Sequence, residues 1–168
     1  MSLDVLLLKP LIALMSGQIL RAANVAGTTV LDEGCQTLPP GSVERFVIDD
    51  GVRALTARAT TCRGPRPALY LPNRTIVLID NGLRTGRTMA AAIRAVRAMS
   101  PKRIVAATPV ASAAAVGLVE HRADELLSLA TPSALGNVAM AYRRFEVPNE
   151  ARIRELMDRS DRASRSLC

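Results

Sequence analysis

The stretch TIVLIDNGLRTGRT, residues 75–88 of the 168-residue chain, contains the most informative pattern in the sequence. Its first five residues, Thr75–Ile79, are apolar or β-branched and predict a strand buried on both faces. Asp80 follows, then a turn with two glycines, and a helical pattern begins at Thr88. A buried strand that passes through a short turn into a helix is typical of a right-handed βαβ unit.

The chain downstream continues the alternation of strands and helices. We expect a helix over Thr88–Met99, a strand over Arg103–Ala107, a helix capped by Ser112 and ending near Glu120, a strand over Leu126–Leu129, and a last helix capped by Asn149. The sequence therefore predicts an α/β fold with a mostly parallel sheet flanked by helices.

The first half of the chain has a less regular pattern. We expect a strand over Leu3–Leu8 stopped by Lys9-Pro10, a hairpin within Val25–Leu31, a helix capped by Ser42 and interrupted at Gly51, and a loop over Cys62–Pro72. The pattern of residues 11–23 is compatible with either a helix or a strand. The length suits one domain, which we place over residues 1–159, followed by a flexible tail at 160–168.

Composition excludes several classes of function. Aromatic residues make up only 2% of the chain, which argues against binding sites that stack bases. The net charge of +7 is spread among acids, so we expect no nucleic-acid partner. Three cysteines without metal-site spacing, and no secretory signal, are typical of the reducing cytoplasm. The apolar run Val5–Met15 is too short to span a bilayer, so we expect no membrane anchor.

The turn after the strand has the chemistry of an anion site. Asp80 is expected at the carboxyl end of its strand, the edge where open α/β sheets bind ligands. The turn Gly82–Thr88 leads into a helix N-terminus, whose amides and dipole favour an anion. A carboxylate beside such a turn suits a sugar phosphate. The stretch matches neither a P-loop nor a dinucleotide fingerprint. An ordinary strand-to-helix turn capped by Thr88 remains an equal alternative.

Residues 76–88 resemble the signature of type I phosphoribosyltransferases, in which a strand runs into two acids, variable positions and Thr-Gly-x-Thr. The resemblance extends through the following helix and strand and through Ala123–Glu125. Leu3–Lys9 is similar to the second core strand of a bacterial subgroup whose substrate is undefined, and Ala139–Phe145 to its closing segment.

The resemblance implies a role for each residue of the stretch. Asp80 and Asn81 would be the catalytic pair that holds the ribose hydroxyls of phosphoribosyl pyrophosphate, and Lys9 would lie near the pyrophosphate. The 5′-phosphate would be bound by Gly82, Leu83, Arg84, Thr85, Gly86, Arg87 and Thr88. Mg²⁺ would be bound through the substrate, with no metal ligands from the protein. The acceptor would be a nucleobase, and the protein would form a homo-oligomer.

Two departures from the family pattern leave a second hypothesis open. Asn81 replaces the second acid, and the family's first strand and pyrophosphate loop would precede Leu3. A lost charge in such a site costs on the order of 1.5–3 kcal/mol. The alternative to a catalytic transferase is therefore a non-catalytic member that keeps the ribose-phosphate pocket for binding or regulation, or that has degenerated.

Overall fold

A computed structural model describes residues 3–4, 6–12, 19–31 and 39–165. The chain divides into two compact units, Met1–Tyr70 with Val147–Cys168, and Leu71–Glu146. In chain order the elements are β1 (Leu7–Ile12), β2 (Ile19–Val25), β3 (Thr28–Leu31), α1 (Val43–Arg63), β4 (Thr75–Ile79), α2 (Arg87–Arg97), β5 (Arg103–Val110), α3 (Ala113–Glu120), β6 (Glu125–Ala130), a 3-10 helix (Val138–Ala141) and α4 (Glu150–Arg165). The α/β class is confirmed.

The first unit contains an antiparallel sheet with the strand order β1-β2-β3. The expected hairpin is confirmed, because β2 and β3 pair through a two-residue turn at Ala26 and Gly27. Both residues have positive φ, 47° and 86°, as tight hairpin turns require. Only a hairpin was expected here, so the antiparallel pairing of β1 with β2 is an addition to the predicted parallel architecture.

The boundaries predicted for the first strand were wrong. β1 begins at Leu7 and continues through Lys9-Pro10, which we expected to stop it. Proline is tolerated on an edge strand, and among the described strands β1 pairs with β2 alone. The ambiguous segment 11–23 is extended where it is described, while residues 13–18 lie outside the described part.

Helix α1 is continuous, so the interruption predicted at Gly51 was wrong. Ser42 caps the helix as expected, and its hydroxyl accepts a hydrogen bond from the Arg45 amide at 3.2 Å. Gly51 is buried within the helix. Ile48 and Leu55 pack with apolar residues of the antiparallel sheet in one core cluster. The apolar face therefore overrides the low helix propensity of a single glycine.

Helix α4 begins after Asn149, whose side chain caps it as expected by accepting from the Arg152 amide at 2.9 Å. It passes residue 160, where we placed the start of a flexible tail. Residues 166–168 lie outside the described part, and the mobility of this segment stays a prediction. Arg66 connects this helix to the segment after α1 through an ion pair with Asp158 at 2.9 Å.

The second unit is a parallel sheet of order β4-β5-β6, which confirms the βαβ reading of the sequence. The strand predicted at Thr75–Ile79 has those bounds, and the other elements begin or end within a few residues of expectation. Helix α2 packs on β4 and β5, and α3 packs on β6. Ser112 caps α3, as its sequence position predicts.

The prediction that β4 is buried on both faces was wrong. Val77 is 48% exposed and Ile79 is 74% exposed, and Leu129 on β6 is 89% exposed. The cause is the strand order: β4, β5 and β6 follow one another in one direction, so right-handed connections place α2 and α3 on the same face. That face contains the fully buried Ile104.

The two faces of the parallel sheet are expected to differ in their sensitivity to mutation. Ile104→Ala removes a fully buried side chain and is expected to lower the free energy of unfolding by about 2–5 kcal/mol, through lost burial and a cavity. Ile79→Ala makes the same chemical change on the exposed face and should cost under about 1 kcal/mol. Urea unfolding of the two variants measures the difference, and equal losses would contradict the assignment of faces.

Candidate functional site

Asp80 stands at the carboxyl end of β4, where the sequence placed it. Its amide donates to the Ala107 carbonyl at 3.1 Å, and its carboxylate accepts from the Asn81 amide at 2.8 Å. Partial burial raises the pKa of this carboxyl group, and hydrogen bonds from the amides of Asn81 and Gly82 oppose that rise. The carboxylate is thus partly desolvated and held by the main chain.

The turn after Asp80 is anchored at Leu83. This side chain is buried, and its amide donates to the Val110 carbonyl at 2.9 Å, while residue 83 pairs with Ala111 as an extension of the sheet. Of the predicted phosphate-binding residues, Leu83 therefore directs its side chain into the core. Any contribution that it makes to a ligand comes from its main chain.

Ser112 holds the same turn from the start of α3. Its amide donates to the Leu83 carbonyl at 2.9 Å, and its hydroxyl donates to the Arg84 carbonyl at 2.7 Å. The hydroxyl also accepts from the Ala115 amide as the cap of α3. Sequence reasoning found the cap but missed the contact with the turn, because a hydroxyl that caps a helix gives no sign of a second partner 28 residues away.

Gly86 is the residue that ends the turn and begins α2. Its φ is +68°, and a Cβ added there would lie 3.1 Å from the Cα and the carbonyl oxygen of Ala115. Both observations require glycine at this position, because other residues are strained at positive φ and a side chain would press on fixed backbone. The absence of a side chain at Gly86 therefore allows the start of α2 to lie close to α3.

The start of α2 leaves its amides available. No side chain caps Gly86, and the first helical hydrogen bond runs from the Ala90 amide to the Gly86 carbonyl. Among the described residues, no protein acceptor receives a hydrogen bond from the amides of residues 84–88. Arg84, Thr85, Arg87 and Thr88 are exposed, and the first turn of α2 contains no acid. This arrangement favours an anion.

A second segment lies against the turn from the other side. Val138, in the 3-10 helix, packs so closely on Gly82 that a Cβ at residue 82 would overlap its side chain. The hydroxyl of Tyr142 donates to the Asn81 carbonyl oxygen, and its ring meets Phe145 edge to face at 5.3 Å. Neither contact was predicted. The only signal for them was the resemblance of residues 139–145 to a closing segment.

The residues predicted at 80–88 all belong to the second unit. Lys9 is in β1 of the first unit, and its side chain is outside the described part. Cys35 and Cys168 also lie outside it. Within residues 3–4, 6–12, 19–31 and 39–165 there is no group of three metal-ligating side chains, and no helix long and apolar enough to cross a membrane.

The site therefore combines two chemistries on one short segment. The carboxylate at the end of β4 can accept hydrogen bonds from hydroxyl groups. The amides and arginines at residues 84–88 can donate hydrogen bonds to an anion. Because Asp80 and Leu83 each bond to β5 through their amides, the fold sets the separation between the carboxylate and the turn. A polyol that carries a phosphate is the class of molecule that uses both.

Comparison with known proteins assigns the chain to a family. The profile of the phosphoribosyl transferase domain matches residues 23–143. Two curated relatives from Mycobacterium tuberculosis, strains CDC 1551 / Oshkosh and ATCC 25618 / H37Rv, carry names that assign them provisionally to the phosphoribosyl transferases. Each is 32% identical over 108 residues, which cover 64% of this chain and 24% of the relative, so the match spans about a quarter of their length.

The fold has a solved counterpart as well. The crystal structure of TT1426 from Thermus thermophilus superimposes with a TM-score of 0.78 at 28% sequence identity, over 95% of this chain and 76% of that one. The family profile includes the whole of the turn at residues 80–88. The chain belongs to the phosphoribosyl transferase domain family.

Proposed function

We propose that residues 80–88 bind the phosphoribosyl group of phosphoribosyl pyrophosphate or of a nucleoside monophosphate, and that the protein transfers this group to a nucleobase-like acceptor. The observation that carries the proposal is the turn between Asp80 and α2, with amides that no described residue engages on one side and a held carboxylate on the other. Asp80 and Asn81 face the ribose hydroxyls in this proposal, and Gly82–Thr88 surround the 5′-phosphate.

The charges at the turn suit the proposed reaction. A nitrogen of the acceptor forms a bond to C1 of the ribose and loses its proton, while the bond from C1 to pyrophosphate breaks. Positive charge develops on the ribose ring, and a carboxylate next to the ring stabilises it. Asp80 is the group at the turn that supplies this charge, whereas Arg84 and Arg87 complement the phosphate.

The proposal includes Mg²⁺ as an ion that binds together with the substrate. The ion would be bound through the substrate, and Asp80 and Asn81 are the residues that would lie nearest to it. When bound, Mg²⁺ would neutralise charge on the leaving pyrophosphate. We further propose that Lys9 contacts the pyrophosphate and that the protein acts in the cytoplasm as a homo-oligomer.

Asn81 favours one competing function, a non-catalytic phosphoribosyl-binding protein. An amide in place of an acid removes a negative charge next to the ribose, where the transition state needs it. The two functions differ in one measurement. A transferase releases pyrophosphate when a nucleobase is added to the bound substrate, and a binding protein does not release it with any nucleobase.

Asp80→Asn is expected to weaken binding of phosphoribosyl pyrophosphate about 10- to 100-fold, because charged hydrogen bonds to the ribose hydroxyls are lost. Isothermal titration calorimetry with and without Mg²⁺ measures the change. Asp50→Asn is the matched control, since Asp50 is an exposed carboxylate on α1 in the other unit. The absence of any binding to the unmodified protein, or equal affinity in Asp80→Asn, would contradict the proposal.

Gly86→Ala tests the turn rather than the acid. Positive φ and the contact with Ala115 should displace the turn, lower the unfolding free energy by about 1–3 kcal/mol, and weaken ligand binding at least about tenfold. Gly136→Ala is the control, since its Cβ would meet nothing within 4 Å. Thermal unfolding and calorimetry on both variants provide the readouts. Unchanged affinity in Gly86→Ala would show that the turn does not bind the ligand.

The raised pKa of Asp80 predicts that the free energy of unfolding depends on pH. Because the folded-state pKa is raised above 3.8, folding favours the protonated form, and stability falls as the pH rises through the folded-state pKa. Asp80→Asn should therefore be more stable than the unmodified protein at pH 7, with the gain vanishing below about pH 4.

Asp124→Asn is the control, because we expect it to change the free energy of unfolding at pH 7 in the opposite direction. The Arg97 side chain and the Ile104 amide lower the pKa of Asp124, so its ionised form stabilises the fold above about pH 4 and this stabilisation is lost as the pH falls. Its replacement should destabilise the protein at pH 7. Urea unfolding across pH 3–8 tests both signs, and a loss of stability in Asp80→Asn at pH 7 would contradict the first.

A further inference from the structure

The Tyr142 hydroxyl donates to a main-chain oxygen of the candidate site rather than to a side chain. Its acceptor is the carbonyl of Asn81, which belongs to the peptide group joining Asn81 to Gly82. The ring is half-buried and lies edge to face against Phe145, with the ring planes at 61°. The aromatic contact restrains the ring, so the hydrogen bond from the hydroxyl to the carbonyl costs little further side-chain entropy.

The main chain of Asn81 also contacts Asp80. The Asn81 amide donates to the Asp80 carboxylate at 2.8 Å, and the Gly82 amide, which belongs to the peptide whose oxygen Tyr142 holds, lowers the pKa of the same carboxyl group. A trans peptide is planar and rigid, with its carbonyl oxygen and amide hydrogen on opposite sides, and the described chain contains no cis peptide bond. Fixing the oxygen of this peptide therefore restrains the main chain of Asn81, whose amide bonds to the carboxylate, and it also restrains the direction of the Gly82 N–H.

Val138 restricts the same peptide sterically. Its side chain lies where a Cβ of residue 82 would be, and Val110 is the next nearest neighbour. Glycine would otherwise allow the 81–82 peptide to rotate freely. The peptide is thus held by a hydrogen bond at its oxygen and by packing at its α-carbon, both from the segment that follows β6.

We propose that Tyr142 is a positioning residue, which orients the Asp80 carboxylate toward the ribose through the Asn81–Gly82 peptide. The inference rests on the proposed function. It assigns to the segment after β6 a role in ribose recognition that is separate from phosphate recognition, because the phosphate turn is held instead by Ser112, at the carbonyls of Leu83 and Arg84.

Tyr142→Phe removes the hydroxyl and keeps the ring contact with Phe145. We expect its affinity for ribose 5-phosphate to fall about 3- to 10-fold, the usual effect of one hydrogen bond. Its affinity for inorganic phosphate should stay unchanged. Calorimetry with these two ligands separates a positioning role from general damage to the site, which would weaken both. Tyr70→Phe, at an exposed tyrosine of the other unit, is the matched control.

A double-mutant cycle tests whether Tyr142 affects ligand binding through Asp80. In an Asp80→Asn background, Tyr142→Phe should have little further effect on ribose 5-phosphate binding, because the carboxylate that it orients is gone. In the ligand-free protein, the amide proton resonance of Gly82 should shift in Tyr142→Phe and stay unchanged in Tyr70→Phe.

Three outcomes would overturn the inference: unchanged affinity in Tyr142→Phe, equal losses for the two ligands, or effects that add fully in the double variant. An unmoved Gly82 resonance would also overturn it, whether or not ligand is present. If the unmodified protein binds neither ligand, the proposed function fails, and the inference fails with it. If it binds both and Tyr142→Phe behaves as the unmodified protein does, the inference alone fails.

Discussion

The candidate site depends on the way Leu83 is drawn into the parallel sheet. Its amide bonds to Val110 at the end of β5, its carbonyl bonds to Ser112 at the start of α3, and its side chain is buried. With residue 83 fixed at both ends of its main chain, the residues on either side are placed relative to β5. The partly buried Asp80 carboxylate precedes this anchor and the amides of residues 84–88 follow it, so the anchor helps to set their spacing.

The same segment contains features that oppose stability. Partial burial raises the pKa of Asp80, so its ionised form is disfavoured by folding, and α2 begins without a side-chain cap. Each would be relieved by a ligand: hydroxyl groups would bond to the carboxylate, and a phosphate would cap the helix. Unfavourable local features that one ligand satisfies together are characteristic of functional sites.

The sequence predicted the local elements of this site better than its surroundings. Thr75–Ile79, the Ser112 cap and the turn could be predicted because each depends on adjacent residues. The exposed face of β4 could not, since an apolar run looks the same whether helices cover one face or both, and strand order decides which. The contacts of Val138 and Tyr142 join residues about 60 positions apart, through a segment with no helical or strand periodicity.

The structure also clarifies what the asparagine at position 81 changes. Residue 81 contributes to the geometry through its main chain, since its amide bonds to the Asp80 carboxylate and its carbonyl accepts from Tyr142. Its side chain is exposed and is not needed for these contacts. Replacing an acid by asparagine therefore removes a charge and leaves the carboxylate of Asp80 in place. In the proposed function, binding would need mainly the geometry and catalysis would need the charge as well, so this substitution would affect the chemical step more than recognition.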